Sequence, residues 1–298
     1  MAGVLSKLKQ LFGSGKRKSK DPPVDVKRRF ELIGKTGQGS MSKVYRARDY
    51  KINRMVCLKL LDKTKTARFE ARFPGLKKPS EGEICQLLRH RNLVQTYENG
   101  ITTEGEPYIV FELIEGLGLN FLIETNSPHL KGKRINYLCQ LAEGLDFIHK
   151  HGFLHRDICP RNTMVTNEGV VKIIDFGLAV PYRPEFCKPG NRTGTPDYLA
   201  PELIKRGTTD HRIDVFALGV TAFETFTGGL PWEKAHQSLQ TIQSHLNSPG
   251  RNPKELKPDL DAAVVKFLLK AIERAPNARF QSAMELRDAL KALPKQDY

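Results

Sequence analysis

The sequence lacks any run of about 18 apolar residues, so no segment reads as a membrane-spanning helix. Cysteine is scarce: Cys57, Cys85, Cys139, Cys159 and Cys187 are scattered and include no Cys-x-x-Cys. That excludes the patterns of a disulfide framework and of a thiolate zinc site, and it points to reduced thiols in a cytoplasmic setting. Acidic residues are in deficit, 33 Asp and Glu against 48 Lys and Arg, for a net charge of +15. No unit of roughly 20–50 residues repeats, which excludes a solenoid array. The N-terminus lacks the continuous apolar core of a secretory signal, and its first glycine is Gly3, not position 2, so the myristoylation pattern fails. No sensor domain or spanning helix is visible, so regulation is expected from the tail, from a loop or from a separate partner.

What is present suits one large domain or two small lobes: 298 residues, 39 % of them apolar, enough for a sizeable core. Residues 1–27 read as a basic tail, and residues 1–29 hold nine basic side chains against Asp21 and Asp25. Val4, Leu5, Leu8, Leu11 and Phe12 recur on one face of a short helix, followed by Lys16-Arg17-Lys18-Ser19-Lys20 and the linker-like Asp21-Pro22-Pro23. An apolar face beside a polybasic run is the pattern of a reversible anchor on an anionic membrane surface, here through residues 1–20. A solvated tail, or a helix docked on its own domain, is the alternative. A peripheral membrane location is therefore expected beside the cytoplasmic one.

From residue 28 the texture becomes β-like, with strands expected at 28–35, 42–49, 54–61, 94–101 and 108–113 and a short helix at 80–89. After Glu115-Gly116 helical spacing takes over: Ile135, Leu138, Leu141, Ala142, Leu145 and Ile148, then 211–227, 260–272 and 282–293. The reading is an α+β protein: a small β-rich lobe with one helix over 28–113, a larger mainly helical lobe over 114–294, and a C-terminal end at 295–298.

Chemistry gathers in a few places. Gly37-Gln38-Gly39-Ser40-Met41-Ser42-Lys43-Val44 lies between two early strands, and its glycines let backbone N–H groups approach phosphate oxygens. No helix follows it, which argues against a dinucleotide-binding loop. Lys59 stands in the apolar strand Val56-Cys57-Leu58-Lys59, where a buried ammonium needs a partner. His155-Arg156-Asp157-Ile158-Cys159-Pro160-Arg161-Asn162 is followed by Asp175-Phe176-Gly177 and by Gly194-Thr195-Pro196-Asp197-Tyr198-Leu199-Ala200-Pro201-Glu202. One Asp as a general base, with Asn and a second Asp as oxygen ligands for Mg²⁺, fits that set. Each triplet is weak alone; their order and spacing are specific.

These residues resemble those of the protein kinases, most closely the bacterial Hanks-type serine/threonine kinases, over roughly residues 28–292. The resemblance implies a bilobal protein-kinase fold and transfer of the γ-phosphoryl group of ATP to Ser or Thr of protein substrates in bacterial signalling, with Mg²⁺ or Mn²⁺. It implies that Gly37, Gln38, Gly39 and Ser40 cover the phosphates. Val44 and Cys57 would lie above adenine, Met164 beneath it, Phe111 at the gatekeeper position and Glu112 to Ile114 in the hinge. It makes Lys59 the phosphate lysine, with Glu81, or failing that Glu83, as its helix partner. Pro74, Gly75, Pro79 and Gly82 shorten that helix. Asp157 would be the base, Thr195 its hydrogen-bond partner, and Asn162 and Asp175 the metal ligands. Glu202 with Arg279, and Asp214 below the catalytic loop, would be structural, while Cys85, His155 and Phe176 would stack between the lobes. Thr193 is the candidate phosphosite of the loop that also holds Arg183, Lys188 and Arg192.

One departure is chemical. Cys159 stands where serine/threonine kinases usually carry lysine, and Arg161 occupies a slot where tyrosine kinases often place arginine; Arg161 is expected to supply the missing cation. A pseudokinase, binding nucleotide with little transfer, is the alternative. A small-molecule kinase is disfavoured by the complete Gly194–Glu202 segment. No specific nucleic-acid partner is expected, since basic residues are not interleaved with aromatics in a reader motif.

Overall fold

The computed structural model describes residues 22–39, 42–190, 193–233, 243 and 245–294. The amphipathic tail segment, Ser40, Arg192 and residues 295–298 lie outside the described residues. The chain divides into two units, one running to His90 and from Val94 to Glu115, the other comprising Arg91–Leu93 and everything from Gly116.

The small unit opens with a helical turn, α1 (Val26–Arg29), where residues 28 and 29 were expected in a strand. Asp25 caps it by accepting the N–H groups of Lys27 and Arg28. Strands β1 (Phe30–Gly39), β2 (Ser42–Asp49), β3 (Arg54–Leu61), β4 (Thr96–Ile101) and β5 (Pro107–Glu112) form one antiparallel sheet in the order β1-β2-β3-β5-β4. Strand alternation puts Phe30, Ala47, Val56, Leu58, Tyr108 and Val110 into the unit's core, with Val24 and Val26 against it. Arg29 ties the ends of the sheet together, bonding Asp49 through Nε at 3.0 Å and Nη2 at 2.7 Å and also reaching Glu98. Lys51 and Tyr108 complete that cluster on Glu98. Together these bonds hold the Glu98 carboxyl down to about 2, although burial alone would raise it.

Between β3 and the expected helix lies α2 (Lys63–Glu70), which the apolar pattern does not announce because Phe69 is its one buried residue. Helix α3 (Glu81–Leu87) follows, started by a reciprocal capping box between Ser80 and Glu83. Pro79 precedes the cap and so does not break the helix.

In the large unit β6 (Gly116–Gly118), β8 (Thr163–Thr166) and β9 (Val171–Ile173) make a three-stranded sheet, and β7 (Phe153–Leu154) pairs with β10 (Val180–Pro181). The rest is helical: α4 (Leu119–Glu124), α5 (Arg134–Lys150), α6 (Pro201–Ile204), α7 (Arg212–Thr227), α8 (Pro253–Leu256), α9 (Ala262–Ala271) and α10 (Ala283–Lys291). Helix α7 is buried along nearly its whole length, as a central core helix must be. It approaches α9 so closely that a β-carbon on Gly219 would stand 2.4 Å from the carbonyl oxygen of Ala271. Residues 91–93 belong to this unit: Ile173 N–H donates to Asn92 O at 2.9 Å. The buried Asn92 amide donates to Gln140 Oε1 at 3.0 Å and Val171 O at 2.9 Å. The α+β class read from the sequence holds for the molecule.

Candidate active site

The register of the small sheet brings one set of the candidate residues together. Val44 lies opposite Gly37 across β1–β2 and opposite Lys59 across β2–β3, and Lys59 faces Ile109 on β5. Two residues along, Arg46, Cys57 and Phe111 form the next row. Directly opposed residues share a sheet face. Val44, Cys57, Lys59 and Phe111 therefore share one face, while the Val56–Leu58 core lies on the other. Gly37, Gln38 and Gly39 are paired backbone at the end of this hairpin.

Lys59 is nearly buried, and its Nζ meets Glu81 Oε1 at 2.6 Å. An ammonium taken out of water needs such a partner. Glu83 is spent on the cap, accepting the Ser80 N–H at 2.8 Å. Burial pushes the Cys57 thiol up to about 11. At the end of β5, Glu112 N–H donates to Gln95 O at 2.9 Å while its carboxylate accepts the Gln95 N–H at 2.8 Å. Among the described residues no hydrogen bond engages the backbone of Ile114. Met164, half-buried on β8, lies opposite Gly118 and Lys172.

A second set of candidate residues lies wholly in the large unit. Asp214, at the start of α7, accepts the N–H of His155 at 2.8 Å and of Arg156 at 2.7 Å, and it meets His149 Nε2 at 2.9 Å. Burial would raise its carboxyl, but the His149 bond, the nearby imidazoles and the His155 N–H outweigh that and hold it below the usual range. The two donated bonds set the loop's curvature, with Arg156 at φ +68°. The His155 ring meets Phe176 edge-on at 5.1 Å. Cys85 is buried in α3 of the small unit.

Asp157 follows. Its Oδ1 accepts the N–H of Thr195 at 2.8 Å and the Thr195 hydroxyl at 2.7 Å. Its Oδ2 accepts Asn162 Nδ2 at 2.8 Å, and the same amide donates to Asp157 O at 2.9 Å. Gly194 makes the Thr195 contact possible: its φ is +134°, and a β-carbon there would stand 2.8 Å from Arg156 O. With Asn162 Nδ2 fixed on Asp157, its Oδ1 remains an acceptor. Ile174 N–H donates to Asn162 O at 3.1 Å, which keeps Asp175 beside Asn162. Asp175 Oδ1 accepts the Gly177 N–H at 2.9 Å. An amide oxygen and a carboxylate are the hard donors that Mg²⁺ takes, so these residues fit that ion.

Cys159 is buried, and burial followed by the charge of Asp157 pushes its thiol up to about 12. It can carry neither a positive charge nor a thiolate near neutrality. Arg161 is exposed, and its guanidinium forms no ion pair among the described residues. Thr193 is buried and its hydroxyl has no hydrogen-bond partner among the described residues, so a modifying enzyme would need this segment to move. Glu202 and Arg279 form the expected pair, Nη2–Oε2 2.8 Å. Reading the sequence missed His149 and the hydrogen bond from Tyr198 to Glu224. The need of a buried Asp214 for donors was the available signal for His149; none marked Glu224.

A loop that fixes one carboxylate by three donors, an Asn and a further Asp on neighbouring strand ends, and a strand lysine held by a helix glutamate are the recurring parts of the protein-kinase class. The family model for the protein kinase domain matches residues 30–290, and the chain belongs to that family. It is 33 % identical over 264 residues to a probable serine/threonine-protein kinase of Clostridium acetobutylicum, covering 88 % of this chain and 39 % of that protein. It is 32 % identical over 280 residues to serine/threonine-protein kinase PknB of Mycolicibacterium smegmatis, covering 89 % and 43 %. The chain thus spans about two fifths of the length of these curated relatives.

Proposed function

We propose that the chain is a protein kinase that transfers the γ-phosphoryl group of Mg-ATP to serine or threonine of a protein substrate. The observation that carries this reading is the Asp157 carboxylate, aimed by Thr195 and Asn162 rather than left to rotate. Asp157 accepts the proton of the substrate hydroxyl as that oxygen bonds to phosphorus and the bridging oxygen of ADP departs. Lys59, positioned by Glu81, holds the nucleotide phosphates, and the backbone of Gly37–Gly39 closes over them. The unbonded Ile114 backbone, the Val44–Cys57 face and Met164 are suited to adenine. Asn162 Oδ1 and Asp175 would hold Mg²⁺, which supplies neutralisation of the phosphate oxygens when bound. Arg161 is the cation in place of lysine at Cys159. The names of the relatives support serine/threonine rather than tyrosine as acceptor.

The test is incubation with Mg²⁺ and γ-labelled ATP beside an Asp157→Asn control, with labelled residues mapped by mass spectrometry. Label on Ser or Thr, lost by at least about 100-fold in the control, is the expected result. The neutral, buried Cys159 favours a second reading, a nucleotide-binding scaffold with little transfer. A nucleotide-dependent thermal shift without label would select it.

A further inference from the structure

The segment between β3 and α3 carries Lys63, Lys65, Arg68, Arg72, Lys77 and Lys78 against two acids, Asp62, which caps α2, and Glu70. Lys65, Arg68 and Arg72 recur at i, i+3 and i+7 along one side of α2 and its continuation, and all three are exposed. Phe69 and Phe73 are buried, meet edge-on at 5.8 Å, and keep this surface in place. None of the ion pairs among the described residues uses Lys63, Arg68, Arg72 or Lys77. Such a row of like charges repels itself and gains when an anionic surface meets it.

The path of the tail identifies that surface. Val24 N–H donates to Ile101 O at 2.9 Å and Val24 O accepts the Thr103 N–H at 3.0 Å, so the tail leaves the small unit at the β4–β5 turn. Gly105 closes the same turn, and Lys63 Nζ lies 3.6 Å from the position of a β-carbon on Gly105. The first residue of α2 and the root of the tail therefore meet at one turn. The tail adds a polybasic run and the apolar positions Val4, Leu5, Leu8, Leu11 and Phe12. An acidic protein would answer the charge alone, whereas a bilayer with anionic headgroups answers the charge and the apolar side chains together.

We propose that the small unit docks on an anionic lipid surface through the basic side of α2, with the tail as its second contact. The full chain is to be sedimented with vesicles of phosphatidylcholine alone and of equal parts phosphatidylcholine and phosphatidylglycerol. Binding to the second set only, weakening as salt is raised, is expected. The triple variant Lys63→Gln, Lys65→Gln, Arg68→Gln should lose on the order of tenfold to a hundredfold in vesicle affinity with an unchanged melting temperature. A triple variant of exposed lysines in the large unit, Lys205→Gln, Lys254→Gln, Lys266→Gln, removes equal charge and should bind almost as the parent does. If the α2 triple variant melts early, Arg68→Gln alone should still give a several-fold loss. Indifference of the parent to phosphatidylglycerol overturns the proposal, and so does equal loss in both triple variants. The readout is binding, so the outcome does not depend on phosphoryl transfer.

Discussion

Thr195 contributes twice to the same oxygen, through its N–H and its hydroxyl, and the two contributions can be separated. Thr195→Ala removes the hydroxyl and keeps the N–H. A hydrogen bond to a charged group is worth about 1.5–3 kcal/mol, so the turnover number should fall about 10- to 100-fold. The melting temperature should hardly move, and Thr195→Ser should restore most of the rate. A loss of stability without a loss of turnover would assign the residue to structure. Cys159 gives the second test at this scale. With its thiol pushed up to about 12 and its side chain buried, it should resist iodoacetamide at pH 8 in the native protein and react in denaturant, as peptide mapping would show.

Among the elements, α7 and α9 approach backbone to backbone at Gly219. Gly219→Ala should therefore cost about 1–3 kcal/mol, read as a lower urea midpoint, because its methyl meets the Ala271 carbonyl. That contact was invisible in the sequence, since Ala271 lies 52 residues on and nothing local marks it. Contiguous chemistry was legible: the loop from His155 to Asn162, the Asp175 triplet and the glycine hairpin are short strings whose order carries their meaning. The strand at 42–49 was legible by alternation. Helix α2 was not, because it is polar on nearly every side; its only announcement is Asp62, which accepts the Lys65 N–H at 2.9 Å. Helix α3 could have been placed more firmly from Ser80 and Glu83, a capping-box spacing outweighing the neighbouring Pro79. The Arg29 cluster joins residues up to 69 positions apart and has no local signature.

For the whole molecule the histidines set the response to acid. Burial, the largest influence on both, holds His155 and His245 below the ordinary imidazole value. His245 Nδ1 donates to Leu199 O at 3.1 Å, and His155 Nδ1 accepts the Asp157 N–H at 3.3 Å. Their neutral forms therefore belong to the native state. Below about pH 6.5 the unfolded chain takes up protons that the native protein refuses, so this stability is present above that value and is lost as pH falls. Asp214 adds a second loss in the same direction below the ordinary carboxylate range. Denaturant unfolding at pH 7.5, 6 and 5 should show stability falling with a slope approaching about 1.4 kcal/mol per withheld proton per pH unit. A flat profile would mean that the buried imidazoles protonate without unfolding.

The placement of Arg91–Leu93 in the large unit also constrains how the protein is made. Synthesis delivers β1 to β5 early, yet the chain dips into its second unit at Asn92 before β4 has appeared. The amide of Asn92 must wait for Val171, 79 residues later, before both of its donors are satisfied. A nascent chain that stalls on the ribosome near α5 would thus expose a buried-type asparagine and the Leu93 backbone that bridges Ile173. The small sheet can form co-translationally, but Asn92 gains its Val171 partner only after β9 has left the exit tunnel.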